Sequence, residues 1–379
     1  MFKQKTAISE NVDGTYWMAV AHLPNWPVEK INRLIVKIVH EEKISWDDFF
    51  ALDKKGWGAF SAFTEKELDD LEIAKRDMPR WSFLAEQLQN EGFQIIPIHS
   101  PDYPEVLKEN LKIRNSPPIL YIKGIKGLLQ EDAVAIVGSR KAGDKALSFT
   151  DRVAKKSVKE SKVIVSGFAK GVDRQALDSA LEANGKSIIV LPQGILTFQS
   201  GFKKYYEPIV QGDVLVMSTF FPKAGWDVGL AMARNAYIYG LAKEIYVAES
   251  DDKGGTWEGA IDGLRRGRTV YVRYPEAGEN NANLKLIELG ATPVNMNGEE
   301  WGVPSPHRTG EERDIEKEIL DFLEKGVYTS REILLSLKLD WNSRKLTDFL
   351  KKNPNVKRID GKQKPAKFTR ADVKSPTLF

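Results

Sequence analysis

The sequence predicts an α/β fold built around a mostly parallel β-sheet with helices on both faces. Three observations predict it. From Ala133 to about Val294, short β-branched runs recur (AVAIV, VIVS, SIIVL, VLVMS, EIYVAE and TVYVR), apolar on both faces as buried parallel strands are. Amphipathic stretches such as ALSFTDRVAKKSVKES, DRQALDSALEANG and WEGAIDGLRRG separate most of them. The pattern then changes on either side of this segment, which gives a three-part plan: a helical module at 1–100, the α/β core at 101–300, a linker at 301–310 and a second small domain at 311–379.

In the first module, VEKINRLIVKIVHEE places Ile31, Leu34, Ile35 and Ile38 on one helical face. TEKELDDLEIAK opens with Thr64 as N-cap and Glu67 three residues later, the pattern of a capping box. WSFLAEQLQNEGFQIIPI reads as a helix stopped near Gly92 and followed by a short strand, completing a helix-hairpin-like module. Pro117-Pro118 forces an extended entry into a second strand, ILYIKG. Beyond the polar linker VPSPHRTGEERD come three short helices, DIEKEILDFLEKG, TSREILLSLKL and NSRKLTDFLKKN. Two basic strand-like segments follow in VKRIDGKQKPAKFTRAD, completing the outline of a winged helix.

Composition narrows the function. The 379 residues are 42% hydrophobic and 29% charged, enough apolar material for a real core. A net charge of +3 permits nucleic-acid binding without arguing for it, so local charge has to decide. There are no cysteines, which excludes disulfides, thiolate metal sites and a cysteine nucleophile. His22, His40, His99 and His307 are scattered without ligand spacing, so no metal is expected. No run is long enough to span a bilayer and MFKQKTAISENVDG lacks a signal-peptide core, so a cytoplasmic address is expected.

Two turns carry the chemistry. The strand AVAIV runs straight into Gly138-Ser139-Arg140. At the carboxyl end of a parallel strand, Gly138 allows close backbone approach, Ser139 adds a hydroxyl donor and Arg140 can fork onto a phosphate. The strand VIVS ends in Ser166-Gly167-Phe168-Ala169-Lys170-Gly171-Val172-Asp173, where two glycines bracket a lysine and Asp173 is expected to cap the next helix. Neither a G-x-G-x-x-G nor a G-K-[ST] pattern occurs, and no cofactor is expected.

AIVGSR, followed by VSGFAKGVDRQALDSALEANGKSIIVLPQG, resembles the DNA-processing family DprA, also called Smf. Its pattern is G-S-R, then S-G-x-A-x-G-I-D, A-x-x-A-L and a G-x-x-I-x-V-L strand. The resemblance reaches upstream to Tyr103-Pro104, Leu107 and PPILYIKG, and downstream to Phe221-Pro222, Arg234-Asn235 and Gly267-Arg268. It implies a Rossmann-like core that binds single-stranded DNA, usually as a homodimer, and hands it to a RecA-type recombinase without catalysing a reaction. On matching positions Arg140 is the expected phosphate clamp, and Ser139, Gly167, Lys170 and Gly171 line the same pocket. Gly138, Ser166, Arg234, Asn235, Gly255 and Thr256 join the expected DNA-binding set. Lys203 and Lys204 would add basic contacts there, with Tyr205 and Tyr206 as stacking surface. In the winged helix, Arg344 and Lys345 would open the recognition helix, with Lys362 and Lys364 on the wing.

The chain departs from the family pattern in three places. The family's A-H is Ala176-Leu177 here, its R-N-R is Arg234-Asn235-Ala236, and its S-G-S-L-x-T-A loop is Gly254-Gly255-Thr256-Trp257-Glu258-Gly259-Ala260. The last resembles the G-T-x-E of LOG phosphoribohydrolases, which implies an alternative: a nucleotide-binding sensor, or a nucleoside-monophosphate hydrolase using Arg234 and Glu258. A simpler reading has Thr256 capping the helix WEGAIDGLRRG, with Glu258 in its first turn. A second alternative is a winged-helix regulator.

Overall fold

The computed structural model describes residues 14–301, 315–359 apart from 338, 340 and 342, and 366–371. The chain divides into two compact units, Met1–His307 and Arg308–Phe379.

The first unit opens with helices: α1 over residues 14–21, α2 Val28–Ile35 continued by a π-helical turn at Val36–Glu41, α3 Trp46–Ala51, α4 Lys54–Gly58, α5 Glu65–Arg76 and α6 Met78–Asn90. Ile31, Leu34, Ile35 and Ile38 are all buried, as their spacing predicts. The capping box at α5 forms in full: Glu67 N donates to Thr64 Oγ1 at 3.3 Å, and Thr64 N donates to Glu67 Oε2 at 2.8 Å.

Nine strands follow, β1 Gln94–Pro97, β2 Ile119–Lys123, β3 Ala133–Val137, β4 Val163–Ser166, β5 Ser187–Val190, β6 Val214–Ser218, β7 Glu244–Val247, β8 Thr269–Arg273 and β9 Thr292–Val294. They form one sheet in the order β1-β2-β6-β5-β4-β3-β7-β8-β9. The seven strands from β6 to β9 pair in parallel; β1–β2 and β2–β6 are antiparallel. The fold is therefore α/β and mostly parallel, as the strand runs predict. Strand β1, at 94–97, already belongs to the sheet, so the unit takes in both the helices before residue 94 and the α/β core.

The connecting helices are α7 Glu105–Leu111, α8 Asp144–Lys159, α9 Val172–Glu182, α10 Gln199–Lys204, α11 Tyr206–Gln211, α12 Val228–Leu241, α13 Gly255–Arg265 and α14 Asn283–Glu288. Strand β3 shows how the two faces are filled. Val134 and Ile136 join Phe149 and Val153 of α8 and Ala176 of α9 on one side. Ala133, Ala135 and Val137 join Ile238 and Leu241 of α12 in the larger cluster on the other. That larger cluster runs on without a break into Trp17, Ile35 and Leu84 of the first helices. α12 is not among the helices read from the sequence. Its run VGLAMARNAYIYGL is apolar on most sides, so it lacks the polar stripe that marks a surface helix.

The chain moves outward from β3 through β4 and β5 to β6, then returns past β3 to β7. The loops after β3 and β7 consequently leave the sheet in opposite directions and open a crevice at the strands' carboxyl ends.

The second unit holds three helices, α15 Ile315–Leu323, α16 Ser330–Leu337 and α17 Ser343–Lys352, around Ile319, Leu323, Ile333, Leu346, Leu350 and Phe368. Strands β10 Tyr328–Thr329, β11 Val356–Arg358 and β12 Lys367–Arg370 form an antiparallel sheet in the order β10-β12-β11. The two basic segments thus pair as expected, whereas β10, two residues long, is too short to show in the sequence.

His22, directly after α1, ties the first helices to the sheet. Its Nε2 lies 2.8 Å from the Tyr121 hydroxyl of β2. The ring also stacks on Trp81 and Tyr121 and meets the edge of Phe221. Burial pulls this imidazole down from 6.5 to about 4. Because the unfolded chain takes up the proton first, the neutral His22 contributes stability above about pH 6.5 that is lost as pH falls toward 4. We expect wild type to lose up to about 1.4 kcal/mol per pH unit in this window relative to His22→Gln. Urea unfolding of both proteins at pH 7 and pH 5 checks this, and equal pH slopes would count against it.

Candidate nucleic-acid interface

Two contiguous clefts lie at the crevice. The first, about 610 Å3, is lined by Gly138, Ser139, Arg140 and Lys141 after β3, by Asp251, Lys253, Gly254, Gly255 and Thr256 after β7, and by Arg234 and Asn235 of α12. The second, about 440 Å3, lies beside Gly167, Phe168, Ala169 and Lys170 after β4 and Leu191, Pro192 and Gln193 after β5, with Trp226 at its rim. Arg140, Lys141, Ala169 and Arg234 line both.

Backbone bonds hold these loops to one another. Ser139 N donates to Glu249 O at 2.9 Å, and Val172 N to Ser139 O at 3.4 Å. Lys141 N donates to Ser139 Oγ at 3.1 Å, which closes the turn that presents Arg140. Gly171 adopts φ +78°, and a Cβ there would run into the Ser139 carbonyl, so the two loops meet only with glycine at this position. Helix α13 starts after Gly254 with no side-chain cap, so the N–H groups of Gly255 and Thr256 stay available at the first cleft.

Arg234, which lines both clefts, forms a buried ion pair with Asp173, which lines the first. Arg234 is only 3% exposed, and its Nη1 lies 3.5 Å from Asp173 Oδ2 of α9. The guanidinium lies against Gly167, where any Cβ would overlap it. Burial pushes the Asp173 carboxyl above its ordinary range, with Arg234 opposing the shift. Burial likewise pulls Arg234 below its ordinary value, with Asp173 opposing. Arg234 Nε and Nη1 make no hydrogen bond, which leaves donors unspent in the floor. Arg140, Lys141, Lys170 and Lys253 are all exposed above it.

The expected residues sort accordingly. Gly138, Ser139, Arg140, Arg234, Asn235, Gly255 and Thr256 come together in the first cleft, and Gly167 and Lys170 in the second. Several expectations need correction. Ser166 is buried with its hydroxyl donating to Ile136 O at 3.0 Å, so it serves the sheet and not the cleft surface. Asp173 does not cap α9, whose N-cap is Gly171; it sits inside the first turn, where Ala169 N donates to its Oδ2 at 3.4 Å. Thr256 is likewise inside α13, not its cap. Lys203 and Lys204 are exposed on α10 but line neither cleft. Tyr205 is buried and donates to Asp178 Oδ1 at 2.9 Å, so of the two tyrosines only Tyr206 offers an open ring.

Arg234 and Glu258 do not line the same cleft. Arg234 is in the floor, whereas Glu258 is exposed in the first turn of α13 and does not line the cleft. In the second unit, the side chains of Arg344 and Lys345 at the start of α17, and the whole of Lys362 and Lys364, lie outside the described residues. The sequence reading missed Lys141, Lys253 and Trp226. The first two had a signal, since each directly flanks a glycine-bearing turn motif.

Fold and site together define a class: an α/β core with a cationic, glycine-lined crevice at its switch point, suited to phosphate-bearing ligands. Within that class the chain belongs to the DNA recombination-mediator protein A family, whose profile matches residues 94–301. Protein Smf of Synechocystis sp. is 27% identical over 291 residues, which cover 75% of this chain and 71% of that protein. DNA processing protein DprA of Streptococcus pneumoniae is 32% identical over 170 residues, 45% of this chain and 59% of that one. The X-ray structure of DNA processing protein A from Streptococcus pneumoniae shares the fold, with a TM-score of 0.54 at 24% identity over 75% of this chain and 94% of that one. Among the described residues no helix is long and apolar enough to cross a membrane.

Because a Cβ at Gly167 would displace the Arg234 guanidinium, Gly167→Ala is expected to cost about 1–3 kcal/mol. A denaturant melt reads this directly; unchanged stability would mean that Arg234 does not rest there.

Proposed function

We propose that the protein binds single-stranded DNA irrespective of sequence and without catalysing a reaction. The observation that carries this reading is the set of exposed cations, Arg140, Lys141 and Lys170, around two joined clefts whose floor is a buried arginine with unspent donors. A strand's phosphates would meet Arg140 and Lys170 and the backbone N–H groups of the loops, and its bases the apolar walls. Family membership supports the further step, in which a homodimer in the cytoplasm protects the strand and presents it to a RecA-type recombinase. We read the second unit as a winged helix whose basic residues contact DNA.

A titration of labelled single-stranded oligonucleotide, with duplex of the same sequence as competitor and at two salt concentrations, tests the proposal. Salt-sensitive binding that prefers the single strand is expected; absent binding, or preference for duplex, would overturn it. Arg140→Ala should weaken binding to all sequences alike and flatten the slope of log K against log salt by about 0.7, the share of one phosphate on a single strand. Glu258→Gln should leave affinity unchanged, since Glu258 is exposed and lines neither cleft; a loss of affinity would return Glu258 to the site.

A further inference from the structure

Arg273, the last residue of β8, is fully buried, and a single carboxylate matches its charge. Its Nε donates to Ala248 O at 2.9 Å, its Nη1 to Glu279 Oε1 at 3.0 Å and its Nη2 to Glu279 Oε2. Such a fork fixes a carboxylate in both position and orientation. Glu279 in turn gathers the loop that runs from β8 to α14. Its Oε1 accepts from Glu276 N at 3.3 Å, its Oε2 accepts from Asn281 Nδ2 at 3.0 Å, and its own N donates to Glu276 O at 3.2 Å. Asn281 Oδ1 accepts from Asn283 N at 3.1 Å. The Asn283 side chain accepts from Ser250 N at 3.0 Å and donates to Ala248 O and Arg273 O. Ala282 N donates to Ser250 O at 2.7 Å, so the loops after β7 and β8 are braced as one unit.

Asn280 stands in the middle of this brace, and its side chain takes no part in it. Glu279 and Asn281 on either side are bonded, whereas Asn280 is exposed and lines the first cleft, its carboxamide without a partner among the described residues. Its loop follows β8, which lies on the side of β3 away from β4 and β5, the strands whose loops line the second cleft. Arg140, Lys141 and Lys253 already supply exposed positive charge in the first cleft. Asn280 adds a neutral donor, held by its neighbours' bonds before any ligand arrives, so little ordering cost remains to be met on binding. Asparagine side chains are ordinary donors to the backbone of a nucleic acid, and such contacts carry no sequence preference.

We infer that Asn280 is a further contact to the bound strand, its Nδ2 donating to a phosphodiester oxygen at the β8 side of the first cleft, and that Arg273 and Glu279 are its positioning residues. This rests on the single-stranded DNA reading above and extends the strand's path past the Gly138-Ser139-Arg140 turn toward β8. A neutral donor releases no counterion, so the contact adds affinity without adding salt dependence.

The test titrates the full-length chain with labelled oligothymidylate at two salt concentrations. Asn280→Ala should lower affinity about fivefold, the share of one neutral hydrogen bond, with the salt slope and melting temperature unchanged. Asn280→Asp should lower it further, since a carboxylate repels a phosphate. Glu279→Gln keeps the shape of the side chain but weakens the fork; it should match Asn280→Ala, and the double variant should bind no more weakly than either single one. Paired instead with Lys170→Ala, in the other cleft, Glu279→Gln should show independent losses. Where Glu279→Gln fails to fold, Asn281→Ala removes one bond of the brace and serves the same comparison. Wild-type affinity in Asn280→Ala would overturn the contact, and Asn280→Asp binding as tightly as Asn280→Ala would overturn its assignment to a phosphate. Independent losses from the brace variant and Asn280→Ala would mean that Arg273 and Glu279 only stabilise the loop. If wild type itself fails to bind the oligonucleotide, the single-strand reading falls and this contact with it.

Discussion

The contact between Arg234 and Asp173 on the surface of Gly167 is the constraint that the interface depends on. It joins α12, α9 and the loop after β4. Each charge is buried enough to be unstable alone, so each requires the other, and removing one partner of such a pair typically costs about 3–5 kcal/mol. Compensation is incomplete, because a 3.5 Å contact to one guanidinium nitrogen leaves Nε and Nη1 without hydrogen bonds. The floor of the crevice is therefore polar and unsatisfied, while the exposed cations sit above it on loops tied together by backbone bonds. The positive charge of the crevice is thus built in two layers, a buried one below and a solvated one above.

Much of this was legible in the sequence, and the part that was not shares a physical cause. Parallel strands buried on both faces need continuous β-branched runs, so β3 to β8 stood out. The two glycine turns were legible because close loop contact demands glycine, as Gly171 against the Ser139 carbonyl demonstrates. The capping box at Thr64 and Glu67 is a purely local interaction, and local sequence suffices to read it. Helix α12 was not legible, because a helix covered on most sides has no polar stripe to set its period. Asp173 was read as a cap because caps are local; its actual partner lies 61 residues away on a helix that the sequence did not reveal. Ser166 and Tyr205 fit a motif and a stacking role by type, but only packing determined that both face inward.

The absence of a boundary in the core of the first unit changes how the helical residues before β1 should be regarded. Trp17, Ile35 and Leu84 belong to the same apolar cluster as Val165 and Val216, and His22 meets Tyr121 across 99 residues of chain. These helices are a wall of the core and not an appendage, which explains why nine-tenths of Trp17 and Trp46 can disappear from solvent in segments so short.

The antiparallel pairing of β2 with β6 has a bearing on the order in which the chain is assembled. Tyr121 lies opposite Ser218, so β2 waits for a partner made nearly a hundred residues later. During synthesis the tryptophan-bearing helices and β2 emerge first, yet one edge of β2 stays open until β6 has left the ribosome. What is made first thus waits on what is made well after it. For that interval the growing chain displays an unpaired strand edge beside apolar aromatic faces, the combination most prone to wrong association.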